Sequence, residues 1–519
     1  MAKAKAAKKA VKKTKKPKAA AKKAGSVVAV PPLPKVRVRM FRQGLGDCFL
    51  LTFDVGGHER HMLIDCGTLG KKNTTVEMSD IAEHIFKIIG AGNLDLVVAT
   101  HEHHDHLSGF NNKEIKKLQG RVDHVWLAWT ENPNDDDAKL LAKNKRDLGA
   151  ALAIVAEAAP KTAVGQQVYD LMGFAGDMSL GAASFAETVN AAMEFVRTGL
   201  GAATVYLNPG QVIEESWLPG FRFYVLGPPR SKDFLKDLGK HGSDELYGIS
   251  AGLRSAALLH LDAELQTTRS LSAAEFAAIE SELPFDQRFN VQKNDEITRT
   301  WYESYFAASE EWRTIDSDWM APASDLALQL DSLTNNTSLA LAIERIADGK
   351  VLLFPADAQQ GHWLSWHAPE MKWNIPQPTG GTHEVNAENL LARTVFYKVG
   401  HHSSHNATAR AKGLEMMKQE NNLTAFIPVD RAVALTRNPK GSWQMPAHLL
   451  YRRLLEQCQG RVARSDIGWA TKPVGEAAKT TESEFKKLAT DQEWTEWEKS
   501  QAAATHVRMD DLFIEYVLA

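Results

Sequence analysis

Apolar and polar positions alternate along Val36-Arg37-Val38-Arg39-Met40-Phe41, the period-two pattern of a strand with one buried face. Phe49 to Phe53 and His61 to Ile64 continue the pattern and are joined by the turn Gly56-Gly57. From Asp80 to Ile89 the period changes to helical spacing, and Gly90 and Gly92 close that helix. Leu94-Asp95-Leu96-Val97-Val98-Ala99 is short, mostly apolar and ends at a polar turn, which predicts a buried strand. Strand, helix, strand and polar loop is the order of an α/β fold that mounts its chemistry at strand ends.

Further strands are predicted at Val122 to Trp129, Phe221 to Pro229, Val351 to Phe354, Thr394 to Val399 and Thr424 to Val429. Asp137 to Ala159 and Phe185 to Gly199 favour helix, and residues 231–330 read as helical and irregular, with Trp301, Trp312 and Trp319 in an acidic background. Near the C-terminus, Ala447 to Gln457 is helical, Phe485 to Ala503 reads as a surface helix carrying Trp494 and Trp497, and Leu512 to Val517 as a last strand. The expected organisation is a tail over 1–25, a linker over 26–35, a domain over 36–475 with mainly helical insertions at about 135–215 and 231–330, and a C-terminal helix and strand over 476–519.

Composition alters this picture at one end. Residues 1–25 hold eleven lysines and no acidic residue, so removing those charges from the formal −3 leaves about −14 for residues 26–519. Such a tail is expected to be disordered and to bind nucleic-acid phosphates without sequence preference. It has no apolar core for a secretory signal and none of the arginine and serine of a transit peptide. No stretch approaches the ~18 apolar residues of a membrane span. Cys48, Cys66 and Cys458 form no paired framework, two of them lie in apolar runs, and the expected setting is a reducing cytoplasm.

The candidate chemistry follows the strand at Leu94 to Ala99. His101-Glu102-His103-His104-Asp105-His106 has the spacing His-x-His-x-Asp-His. In an extended loop His101 and His103 project to one side, and Asp105-His106 can turn toward a neighbouring point. Imidazoles and a carboxylate together suit zinc, or manganese or iron, and the spacing points to two ions about 3.5–4 Å apart.

This motif after an apolar strand resembles the signature of the metallo-β-lactamase superfamily. Gln43 to Leu51 and Met62 to Thr68 are similar to the opening strand pair of that family. Asn336-Thr337-Ser338-Leu339, Val351 to Ala358 and Lys398-Val399-Gly400-His401-His402-Ser403-Ser404-His405 follow in its order. The texture most resembles the soluble domain of ComEC-type DNA-uptake proteins and their free-standing relatives. The resemblance implies an αββα sandwich, here with large helical insertions, and two divalent ions, zinc or else manganese or iron. It places His101 and His103 on the first ion, Asp105 and His106 on the second, Asp357 between them and His401 as the last ligand, with His402 as its rival. Asp65 would orient the histidine loop from behind.

Departures from the family pattern are equally legible. No His-x-x-Gly-His element supplies a third histidine to the first ion; His124 and His260 are the leftover candidates, and either member of His401-His402 could fill the gap. Ser403 stands where relatives carry glycine, and Gln444-Met445-Pro446 where they tend to carry His-Pro, leaving His405 or His448 as replacement proton donors. Ser404 and Asn406 could contact substrate oxygens. Lys440-Gly441-Ser442 lacks the upstream glycine of a phosphate-binding loop and reads as a turn. Asp105, His402 and His405 are the residues expected to take part in catalysis.

The implied activity is metal-assisted hydrolysis by a hydroxide shared between two ions, most readily of a phosphodiester in DNA or another nucleic acid. A small ester, lactone or lactam is the alternative substrate. A nucleic-acid-binding or scaffold protein with a vestigial metal site is the non-enzymatic one.

Overall fold

The computed structural model describes residues 33–158, 189–236, 330–376, 381–436, 443–475 and 482–519, together with Ala327 and Lys479. The basic tail, His260, Trp301, Trp312, Trp319, Lys440-Gly441-Ser442, most of the 231–330 insertion and the start of the helix expected at Phe185 lie outside the described residues.

The chain is α/β with two large mixed sheets. The first runs, edge to edge, through Val507–Met509, Phe513–Leu518, Lys35–Phe41, Cys48–Val55, His58–Cys66, Leu94–Val98, Val122–Ala128 and Ala203–Leu207. The second runs through Gly468–Trp469, Val462–Arg464, Thr424–Ile427, Thr394–Lys398, Lys350–Phe354, Ala340–Arg345, Phe221–Gly227 and Val212–Ile213. Alternation along Lys35–Phe41 puts Val36, Val38 and Met40 on the inner face, where they join Phe49 and Leu51 of the same sheet and Phe354, Phe396 and Phe426 of the other. Two such faces packed together remove a continuous apolar surface from water, the dominant favourable term in folding.

Helices cover the outer faces. Met78–Ile89 buries Ile81, Ala82, Ile85 and Ile89 against the first sheet, closed by Gly90 as its spacing predicts. His448–Gln457 buries Tyr451, Leu454 and Leu455 against the second. Trp494 and Trp497 of Asp491–Ala503 are 2% and 7% exposed, so the helix expected at the surface is anchored by two indoles in the core beneath that sheet.

Other parts of the chain differ from the pattern-based expectation. The last strand, Phe513–Leu518, lies between Val507–Met509 and Lys35–Phe41, so residues 476–519 contribute to the first sheet rather than following it. The insertion expected at 135–215 ends in Ala203–Leu207, an edge strand parallel to Val122–Ala128. Its weak alternation is that of an edge, with only Leu207 buried. Among the described residues no helix is long and apolar enough to cross a membrane.

Strand direction positions the site. His58–Cys66, Leu94–Val98 and Val122–Ala128 are mutually parallel, as are Lys350–Phe354, Thr394–Lys398 and Thr424–Ile427, and open α/β sheets place ligands beyond the carboxyl ends of such strands. The antiparallel neighbours Cys48–Val55 and Ala340–Arg345 begin at that same edge, so Asp47 and Asn336 to Leu339 arrive there too. Three loops close back to back: Asp47 N donates to Asp105 O at 2.9 Å, Gly67 N to Asp47 O at 2.9 Å, and Leu339 N to Thr100 O at 2.9 Å.

A β-carbon on Gly67 would lie 2.3 Å from the backbone carbon of Asp105. Backbone cannot yield as a flexible side chain does, so Gly67→Ala is expected to cost about 1–3 kcal/mol of stability. The urea unfolding midpoint measures this; an unchanged midpoint would show the loops to be loosely packed.

Candidate metal centre

Asp105, His106, Asp357 and His402 each place one donor atom within 4.8 Å of the others, and all four are buried. Asp105 and His106 come from the short helix His104–Leu107 beyond the first sheet. Asp357 and His402 lie beyond Lys350–Phe354 and Thr394–Lys398 of the second.

Each imidazole is oriented by a partner behind it. Thr100 N and Oγ1 donate to Asp65 at 2.8 and 2.7 Å, and His106 Nδ1 donates to the same carboxylate at 2.8 Å. Nε2 of His106 therefore faces inward, 3.1 Å from Asp357 Oδ2. Asp65 holds a left-handed backbone, φ 55, a conformation retained where surroundings over-determine it. His402 Nδ1 donates to Pro428 O at 2.6 Å, which turns its Nε2 to Asp105 Oδ2 at 2.6 Å. Such outer partners fix the tautomer that a metal ligand needs. Burial opposes charge on His106, but Asp357, Asp47, Asp105 and Asp65 outweigh it and raise its pKa well above the ordinary value. Burial would raise Asp105, yet His106 and His402 hold it down to about 2.

His101 and His103 form a converging pair. The Thr100 hydroxyl hydrogen is committed to Asp65, so its oxygen accepts from His101 Nδ1 at 3.0 Å. His101 Nε2 is left with a lone pair, and it faces His103 Nδ1 at 3.1 Å. Burial pushes His101 well below the usual imidazole value and His103 down to about 3, so both rings are neutral donors.

Lys398 is the buried cation of the centre. Its ammonium donates to Ala356 O at 2.9 Å and Asp357 Oδ1 at 3.1 Å, and pairs with Asp47 Oδ2 at 2.5 Å. Asp357 Oδ1 also accepts from His401 N at 2.9 Å, leaving Oδ2 as the oxygen that faces the imidazoles. Asp47, Asp65 and His106 form a second tight group, but Thr100 holds Asp65 and Lys398 holds Asp47, so that group is a hydrogen-bonded support.

The donor set suits divalent ions of the zinc, manganese and iron kind. Asp105 Oδ1 and Asp47 Oδ1 are buried with no hydrogen-bond partner among the described residues, and a buried carboxylate oxygen without a partner is costly unless a cation compensates it.

The other expected residues fall differently. His401 accompanies His402, but its Nδ1 meets Ser404 Oγ at 2.8 Å and it lies outside the four-residue group. His401, His402 and Ser403 have φ values of 42, 49 and 65, a left-handed turn that sends the two imidazoles in different directions. Ser403 thus keeps the backbone that glycine would favour. His405 and His448 are exposed. His124 is paired in register with Leu96 near the beginning of its strand, away from the site edge, and stacks on Trp217 at 5.6 Å. His362, unmarked by any motif in the sequence, is buried against Gly227, and burial holds its pKa down to about 3.

Three contributors carried little signal in the sequence. Asp47 sat unassigned within the matched Gln43 to Leu51 segment, and Lys398 was visible only as a charge at the end of an apolar strand. Asp331, 9% exposed, projects Oδ1 to 3.9 Å from His103 Nε2 with nothing local to mark it.

Behind the motif, Lys145 of the helix Asp136–Ala158 donates to Glu102 at 2.8 Å, and Glu131 is hydrogen-bonded to Glu102. Burial and the Glu102 charge push Glu131 up to about 8, whereas burial acts against Glu102 and Lys145 draws it down to about 2. Glu131 holds in the fold a proton that it releases on unfolding. Its contribution is therefore present below its unfolded value near 4.5 and is lost as pH rises toward about 8. Glu131→Gln should gain stability over the parent across that window, by at least about 1 kcal/mol at pH 8 and little at pH 4.5. Urea unfolding at both pH values tests this, and a pH-independent difference would contradict it.

No protein-family model matches the chain and no curated protein matches it in sequence, so the reading of this centre rests on its own geometry.

Proposed function

We propose that the chain is a metal-dependent phosphodiesterase of the metallo-β-lactamase superfamily, similar to the soluble domain of ComEC-type DNA-uptake proteins, acting on DNA or another nucleic acid. One observation carries the reading. Asp105 and His106 from one sheet meet Asp357 and His402 from the other in a buried cluster, in which Asp105 Oδ1 has no hydrogen-bond partner among the described residues. Two facing sheets with helices on both outer sides support the αββα sandwich of that superfamily.

His101 and His103 would hold one ion, Asp105, His106 and His402 the second, and Asp357 would serve both. Divalent ions held there would supply a water nucleophile near neutral pH and Lewis-acid stabilisation of charge on the phosphate. The chain's own residues set the geometry. Asp65 and Pro428 O aim the imidazoles of His106 and His402, and Lys398 reserves one oxygen of Asp357. His405, which is exposed, would give a proton to the leaving alkoxide. The lysine-rich tail would add affinity for polyanions. The acidic charge of residues 26–519 favours the second reading, hydrolysis of a small ester, lactone or lactam.

Elemental mass spectrometry with fluorescent single- and double-stranded DNA separates these readings. Two ions per chain and cleavage supported by manganese or zinc are expected, with Asp357→Ala lowering the rate at least about a thousandfold, equivalent to about 4 kcal/mol. Two ions without cleavage of nucleic acid would favour the small-substrate reading; nucleic-acid binding without metal would leave the scaffold.

A further inference from the structure

Asp331 lies in the helical turn 330–335, far from the motif in sequence, yet it reaches the metal centre. Its Oδ2 accepts from Asn335 Nδ2 at 3.1 Å, one turn along the same helix. That bond sets the plane of the carboxylate and directs Oδ1 to His103 Nε2, 3.9 Å away. Oδ1 is buried and has no hydrogen-bond partner among the described residues. His103 Nδ1 is the nitrogen that converges with His101 Nε2, at 3.1 Å. Two donors on one tetrahedral ion with bonds of about 2.0–2.1 Å stand about 3.3–3.4 Å apart, so the His101–His103 pair is already near ligand spacing. An imidazole that ligates through Nδ1 carries its hydrogen on Nε2, and that hydrogen needs an acceptor.

We propose that Asp331 is the positioning carboxylate of His103, accepting its Nε2 hydrogen and so fixing the tautomer and the ring orientation with which His103 serves the first ion. The inference rests on the two-ion reading above. Backing of this kind recurs in the centre: Asp65 accepts from His106, Pro428 O from His402 and the Thr100 hydroxyl oxygen from His101. The inference also assigns the segment before Asn336 a role in metal affinity. The first ion, to which His101 and His103 would contribute, would depend on the quality of those two donors. A contraction of about 1 Å brings Oδ1 and Nε2 within hydrogen-bond range.

The test is stepwise zinc affinity by chelator competition on the full chain, with unfolding of the chelated protein alongside. Asp331→Leu should weaken one ion about 10- to 100-fold and leave the other, held by Asp105, His106, Asp357 and His402, unchanged. The metal-free variant should unfold at no lower urea concentration than the parent, because an uncompensated buried carboxylate has been removed. A merely structural Asp331 would give the opposite, lower metal-free stability with both affinities intact. Asn335→Ala keeps the carboxylate but frees its orientation, and is expected to weaken the same ion about two- to tenfold. Two ions with unaltered affinities in both variants would overturn the assignment and leave the two-ion reading standing. A parent chain that binds no metal would overturn both.

Discussion

Five carboxylates, those of Asp47, Asp65, Asp105, Asp331 and Asp357, are buried where the ends of two sheets meet, and their compensation organises the region. Ionised carboxylates out of water are expensive unless paired, hydrogen-bonded or bound to cations. The protein supplies one buried ammonium, Lys398, shared by Asp47 and Asp357, and hydrogen bonds from Thr100 and His106 to Asp65. Among the described residues, Asp47, Asp105 and Asp331 each keep one oxygen without a hydrogen-bond partner. Metal ions could supply the compensation left over.

The fold is what brings so much like charge together. Parallel strands end in one plane, their antiparallel neighbours start in it, and both sheets contribute loops to it. Packing of the inner aromatic residues, Phe49 on Phe354 and Phe354 on Phe396 among them, holds the two edges together and lets ligands from separate sheets share a site. Burial then acts on the site in return: the same dry environment that makes His101 and His103 neutral donors makes the carboxylates dependent on cations. Glu102 extends the network outward, linking the metal loop through Lys145 to the helix that follows Trp129.

The strands Lys35–Phe41, Cys48–Val55, His58–Cys66 and Leu94–Val98 were readable from period and composition because each buries a defined set of its own side chains. Ala203–Leu207 and Val507–Met509 were not, since edge strands bury little and so carry weak alternation. Asp491–Ala503 lies at the surface as its charges indicate, and the burial of Trp494 and Trp497 is what anchors it.

By itself the sequence determined the type and local spacing of the donors in the motif loop. His101, His103, Asp105 and His106 share one short loop after an apolar strand, and donor type and spacing within a loop are local properties. Tertiary structure alone decided which remote groups complete the centre. His402 enters the cluster and His401 does not, because three left-handed residues in succession turn the adjacent imidazoles apart. Lys398 reaches Asp47 from 351 residues away and Asp331 approaches His103 from 228 away, since strand direction and sheet packing set those distances and no local pattern encodes them.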